Sequence, residues 1–279
     1  MKIKIQSIRP IITVLIILLL LTSLVFLLNM IIQTKILFEA VDNEDYNLAE
    51  KAIKNGANIN AREHWTDFPN FFFTNHTILT KACKSGNYDI VMLLIKHGVD
   101  VNKKDNYRDL TPIEITIDSA KNSRFLIANM LIEAGADIKK ASPAGLFSSA
   151  IVVYDGDTSE TKKEGYDFFL YLIEQGITPK YEAKNLNPLT AAAQGHNYNV
   201  VKYFIENKLY DVNSIDPTGN TALTIASRKG YSEIVTLLLD CGADHSIKDA
   251  SQKTAYDHAV ENSHKDIIAI LSNHANNLN

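Results

Sequence analysis

The chain has 279 residues, 46% hydrophobic and 22% charged, with a formal net charge of −4 at pH 7, which allows one or two domains with real cores. Basic residues run together no further than pairs such as Lys103–Lys104, and the body after the first cations is more acidic still. Such a surface is a poor match for phosphate backbones, so no nucleic-acid partner is expected.

Residues 1–9 form a basic N-terminal segment, with Lys2, Lys4 and Arg9 and no acid. Residues 10–32 then read "PIITVLIILLLLTSLVFLLNMII", with no charge. Roughly 20 apolar helical residues cross a ~30 Å hydrocarbon core, so this run predicts one transmembrane helix. Pro10 suits a first helical position, where a missing N–H costs nothing. A cleaved signal has an apolar core of about 7–15 residues and a small-residue site. Here the core is longer, "LLNMIIQTK" offers no small pair and no cysteine follows, which favours an uncleaved anchor. The cations before the span outnumber Lys35 after it, which places the N-terminus in the cytoplasm and the rest in the periplasm or outside the cell. No Gly or Pro interrupts Ile11 to Asp42, so the span is expected to run straight into the next helix.

From Leu37, "LFEAVDNEDYNLAEKAIKNGANINAR" reads as a helix pair without an opening turn. Next comes "HWTDFPNFFF", residues 64–73, whose aromatics crowd around Asp67 and Pro69; it reads as a surface loop. Asn60 to Thr77 is longer than the corresponding Asn213 to Thr221, which makes the stretch an insertion in a hairpin finger. In "HTILTKACKSGNYDIVMLLIKHGVDVNKKD", residues 76–105, Leu79, Ala82 and Cys83 share one helical face. Gly86 stops that helix, "IVMLLI" forms a second, Gly98 closes it and "VDVN" opens a hairpin. A third unit starts at Thr111, where Thr111–Pro112 reads as a helix cap, and it has extra residues between its helices.

A fourth, from Ala144, has an insertion around Asp155 to Lys163. The fifth, from Asn187, lacks the glycine that ends the second helix elsewhere. His196, one past Gly195, stands in the fifth where Gly230 stands in the sixth, and is expected to tolerate substitution better than Gly230. The sixth, "DPTGNTALTIASRKGYSEIVTLLLDCGADHSIKD" at 216–249, is the most regular, with Thr221 as its cap. "KTAYDHAVENSHKDIIAIL" from Lys253 closes the series, and residues 273–279 are a polar tail.

The period of about 33 residues identifies a repeat architecture. The sixth unit resembles an ankyrin repeat, with the G-x-T-P-L-H-x-A-x-x-x-G…L-L-L-x-x-G-A-D pattern carrying Ala222 for proline and Thr224 for histidine. The resemblance implies an all-α ankyrin-repeat solenoid of about seven helix-turn-helix repeats with hairpin fingers over residues 36–272, preceded by one transmembrane helix. It also implies a protein-binding scaffold that uses its finger tips and inner helices as a concave surface.

Catalytic and metal chemistry find no support in the sequence. No G-x-S-x-G, P-loop or G-x-G-x-x-G occurs, and the repeats leave no room for a separate catalytic domain. No histidine pairs at H-x-x-x-H; His97 reads as a solvated helix end, and His258, His264 and His274 as surface groups of the last unit. "YDGDTSE" at 154–160 lacks a calcium-loop frame. Cys83 reads as core and Cys241 as a helix end, too far apart in stacked layers for a disulfide. Neither a metal, a cofactor nor a small-molecule substrate is expected, and an enzyme is not.

The candidate partner-binding residues are therefore Trp65, Phe68, Phe71 and Phe72 in the aromatic stretch, with Tyr107, Arg108 and Tyr181 in other fingers. Three readings of the stretch stand: a recognition loop, a group that dips into the lipid interface, and a flap over the incomplete first repeat. Correspondingly, three functions stand. One is a membrane-anchored module that captures or inhibits an unidentified protein, such as a bacterial immunity protein against a secreted membrane-attacking toxin. The others are a non-inhibitory envelope scaffold or stress factor, and a membrane-surface binder.

Overall fold

The computed structural model describes residues 9–63, 76–106, 108–119, 122–143, 145–147, 159–179 and 187–277. Helix α1 runs unbroken over Arg9–Asp42, 34 residues, so the apolar run and the first repeat helix are one element. Its first part lies open: Leu19, Phe26 and Leu20 are more than 60% exposed. Its two hydroxyls there turn inward on the helix, Thr22 donating to the Leu19 carbonyl at 2.9 Å and Ser23 to the same oxygen. That satisfies polar groups without water, as a spanning helix must. From Leu37 the character reverses, and Leu37, Phe38, Ala40 and Val41 are all buried.

The described residues fall into two compact units, 1–137 and 138–279, and the boundary lies between the third and fourth repeats. The first unit contains α1, α2 (Tyr46–Lys54), α3 (Ile78–Ser85), α4 (Tyr88–Lys96), α5 (Pro112–Ile117) and α6 (Arg124–Glu133). Helices α1, α3 and α5 pack in one row and α2, α4 and α6 in another. Each pair therefore covers the apolar face that its neighbour cannot bury alone. Cys83 lies in this core at 0% exposure, and burial pushes its thiol up to about 12 despite a hydrogen bond with Thr116.

The second unit holds a 3₁₀ turn (Ile138–Lys140), then α7 (Ser159–Glu174), α8 (Pro188–Gln194), α9 (Tyr198–Glu206), α10 (Ala222–Lys229), α11 (Ser232–Asp240), α12 (Ala255–Glu261) and α13 (Lys265–Asn277). Again α8, α10 and α12 form one row and α9, α11 and α13 another. Phe147, Phe169 and Phe204 pack edge to face, with centroids 5.4 and 5.7 Å apart along the chain of rings. Among the described residues there is no β-strand, only the isolated bridge Arg62↔Thr77.

Local chemistry explains the helix starts. Thr77, Thr111, Thr221 and Thr254 cap α3, α5, α10 and α12, and the last three close capping boxes with Glu114, Thr224 and Asp257. The ends follow the expected register. Gly86 and Gly230 are left-handed, and so are Gly56, Gly98, Gly135, Gly176 and Gly242 at the repeat ends. Where the fifth repeat lacks glycine, Lys208 adopts φ +51°. His196 takes φ +53°, the conformation of Gly230, but it is not an idle site: its ring stacks on Tyr231 at 4.0 Å and reaches Glu233 at 3.0 Å.

The histidines of the last repeat need a correction. His258 is buried rather than a surface group, and its Nε2 lies 2.7 Å from Asp249. Burial works against the Asp249 carboxylate, but hydrogen bonds from His258 and the Lys253 and Ser251 amides outweigh it and hold its pKa below the usual range.

Two outcomes follow from these positions. Gly230 (φ +84°) and Gly242 (φ +85°) share a backbone, but an added Cβ meets open space at 242 and the His264 ring at 2.7 Å at 230. In urea melts Gly242→Ala is expected to cost about 1 kcal/mol from backbone strain alone, and Gly230→Ala clearly more. Because the Asp249 pKa is depressed, its stabilisation is complete above the unfolded value of about 3.9 and is lost as pH falls through the folded one. Asp249→Asn should therefore lower stability at neutral pH, and its melts should change less than wild type between about pH 5 and pH 2.

Candidate functional site

The fingers of the first unit are built from turns that carry their own hydrogen-bond acceptors. Asp105 is buried, and its Oδ1 accepts from the Arg108 and Leu110 amides while its own amide donates to the Leu110 carbonyl at 2.9 Å. The same device recurs at Asp216, which accepts from Thr218 and Asn220, and at Asp249, which accepts from Ser251 and Lys253. An aspartate that accepts two amides in this way fixes a tight turn. Asparagines join one repeat to the next: the Asn60, Asn102 and Asn213 side-chain oxygens accept from the Asp100, Asp137 and Asp244 amides at 2.7–2.8 Å.

The aromatic insertion leaves and re-enters the fold through a defined base. Arg62 bridges Thr77, and the Glu63 amide donates to the His76 carbonyl at 2.9 Å. Lys81, on α3, donates to Glu63 at 2.7 Å and to Asp42 at 2.8 Å, with Nζ 5.7 Å from the Phe38 ring. Burial works against the ammonium, but the two carboxylates outweigh it and raise its pKa above the usual lysine value. His76 Nδ1 lies 3.3 Å from Asp105 Oδ2, which ties this base to the next finger. The Arg62 guanidinium donates to Asn106, and Lys103 to the Asn60 carbonyl at 2.6 Å.

Of the sequence-predicted site residues, Arg108 alone is described. It is 54% exposed and donates to Asp118 at 2.8 Å, a surface pair worth about 0–1 kcal/mol. Trp65, Phe68, Phe71, Phe72, Tyr107 and Tyr181 lie outside the described residues. Sequence reasoning missed the Lys81–Glu63–Asp42 base and the pivot aspartates. The aspartates left a signal, since Asp105, Asp216 and Asp249 occupy one register in three repeats. Among the described residues, no three His, Cys, Asp or Glu side chains group as metal ligands.

A family model of ankyrin repeats matches three times, over residues 37–142, 161–249 and 209–279. The chain belongs to the ankyrin-repeat family. Its ankyrin repeats are similar to part of alpha-latroinsectotoxin-Lt1a from Latrodectus tredecimguttatus, 34% identical over 86 residues, 31% of this chain and 6% of that protein. They are also similar to part of the human transient receptor potential cation channel subfamily A member 1, 38% identical over 74 residues, 26% of this chain and 7% of the channel. The chain thus spans less than a tenth of the length of these curated relatives. The crystal structure of the human ASB11 ankyrin repeat domain aligns with a TM-score of 0.57, covering 84% of this chain and 96% of that one at 22% identity, which shows the fold. Ankyrin repeats are a protein–protein interaction module, and the fold is typically a binding scaffold.

The loop base can be tested apart from any partner. Lys81→Met removes the cation that Glu63, whose side chain is 12% exposed, shares with Asp42. It should cost about 1–2 kcal/mol in a denaturant melt, less than a fully buried pair because Asp42 is half exposed. Arg108→Ala should stay within about 0.5 kcal/mol of wild type.

Proposed function

We propose that this chain is a membrane-anchored, non-enzymatic binding module that captures or inhibits a partner protein at the far face of the membrane. The observation that carries the reading is helix α1: one uninterrupted element is both the exposed apolar rod and the first buried helix of the array. An ankyrin module built this way holds its binding surface at the bilayer, where a membrane-attacking protein works. Neutralising such a secreted toxin, in the manner of a bacterial immunity protein, is the form of capture that fits a tethered scaffold best. Lys2, Lys4 and Arg9 before the apolar run support a cytoplasmic N-terminus and an array outside the cytoplasm.

Partner contact is assigned to the aromatic stretch, because large aromatics dominate interface hot spots and its base is held by the Arg62–Thr77 bridge and Lys81. A fixed base limits the ordering cost of binding. Tyr107, Arg108 and Tyr181 are assigned as further partner contacts.

Two measurements test the reading. A reporter enzyme that works only outside the cytoplasm, fused after Asn279, should be active and remain with the membrane; release of a shortened soluble form would mean that the apolar run is a cleaved signal. Partners captured from native membranes by wild-type protein should bind Trp65→Ala/Phe68→Ala more weakly by at least about 2 kcal/mol, with Tm nearly unchanged. A large fall in Tm would instead make the stretch a structural flap over the first repeat.

A further inference from the structure

Two hydrogen bonds join the exposed apolar part of α1 to the turn that ends the first repeat. Asn29 Nδ2 donates to the Asn55 carbonyl at 2.9 Å, and Thr34 Oγ1 accepts from the Asn58 amide at 2.8 Å. In three other repeats the equivalent amides of Asp100, Asp137 and Asp244 are held by Asn60, Asn102 and Asn213 of the repeat before. The anchor helix therefore does for the first repeat what a preceding repeat does elsewhere. Five residues of α1 separate the two bonds, so the turn at 55–58 lies alongside about 7 Å of the helix.

This placement fixes a depth. Residues 10–32 would rise about 34 Å, more than the ~30 Å hydrocarbon core, and would carry the Asn55 carbonyl and its neighbours into lipid. Peptide groups of an irregular turn are not tolerated there unless buried in protein or wetted by a cavity. Residues 10–28 rise about 28 Å, which matches the core, and end one residue before Asn29. The opposite face of α1 continues apolar through Leu24, Leu28 and Ile31, each about half exposed, and reaches Lys35 one turn further on. Lys51 and Lys54 stand on the last turn of α2 beside the 55–58 segment, with Glu50 2.9 Å from Lys54.

We infer that the hydrocarbon ends at Leu28 and that the turn Asn55–Asn58, with Lys51 and Lys54, is a membrane-contact surface seated in the lipid headgroup layer. The ligand chemistry is the phosphate and ester oxygens of phospholipids, which accept from the Lys51 and Lys54 ammonium groups. The inference rests on the anchoring reading, and the experiment separates the two. Full-length protein carrying Cys241→Ser would be given a single fluorophore at Leu20→Cys, Asn55→Cys or Asn43→Cys; Cys83 is buried and is left in place. Asn43 follows α1 directly and is exposed, about 20 Å beyond Asn29 along the helix axis.

In vesicles of phosphatidylcholine and phosphatidylglycerol, the probe at 20 should be quenched by a spin label deep in the acyl chain. The probe at 55 should be quenched by a headgroup label several-fold more than the probe at 43. Deep quenching at 20 with equal headgroup quenching at 55 and 43 would overturn the contact surface and leave the anchor standing. Stronger deep than headgroup quenching at 55 would overturn the assigned depth. Loss of quenching at 20 would overturn the anchor and the contact surface together.

Discussion

A pair of short antiparallel helices has more apolar surface than it can cover by itself, and the stacking of the repeats answers that constraint. Within each unit, rows of first helices and rows of second helices share the burden. The ends of such a row remain exposed unless something caps them. In the second unit the last helix, α13, runs 13 residues to Asn277. In the first unit the cap is supplied by α1, whose Thr34 accepts from the Asn58 amide as an asparagine of the preceding repeat does elsewhere.

The fingers obey a different rule, because they are irregular backbone that has to be satisfied without a sheet. Their solution is local: Asp105, Asp216 and Asp249 each accept two or more amides of their own turn. The Asn60, Asn102 and Asn213 side chains then carry the connection to the following repeat. Finger side chains that are not part of this bonding are left to meet other molecules, which is how an ankyrin scaffold separates stability from recognition.

Much of this organisation was legible in the residues, since glycine, threonine caps and the period near 33 residues report backbone constraints that a sequence states openly. Positive φ at Gly86, Gly230 and the repeat-end glycines follows from the lack of a Cβ, and Lys208 and His196 fall where the register puts them. What escaped were pairings between distant positions. Lys81 with Glu63 and Asp42, and His258 with Asp249, carry no local pattern, so a buried histidine reads as a surface one. Arg124 is likewise 1% exposed against Phe125, where sequence alone would leave an arginine in water. The candidate aromatic contacts rest on composition, and all but Arg108 of the proposed surface lies outside the described residues.

Helix α1 has neither glycine nor proline between Ile11 and Asp42, and two side-chain bonds lock its flank to the turn beyond α2. A helix held in this way works as a shaft rather than a string. Twist applied to the first repeat is transmitted to the apolar rod without a swivel. Under the proposed anchoring, encounters would be confined to a plane: a partner moving along the same membrane would meet a receptor of set height, and its search would lose a dimension. The cost would fall on partners that arrive tilted, because the shaft would give them no slack to turn into.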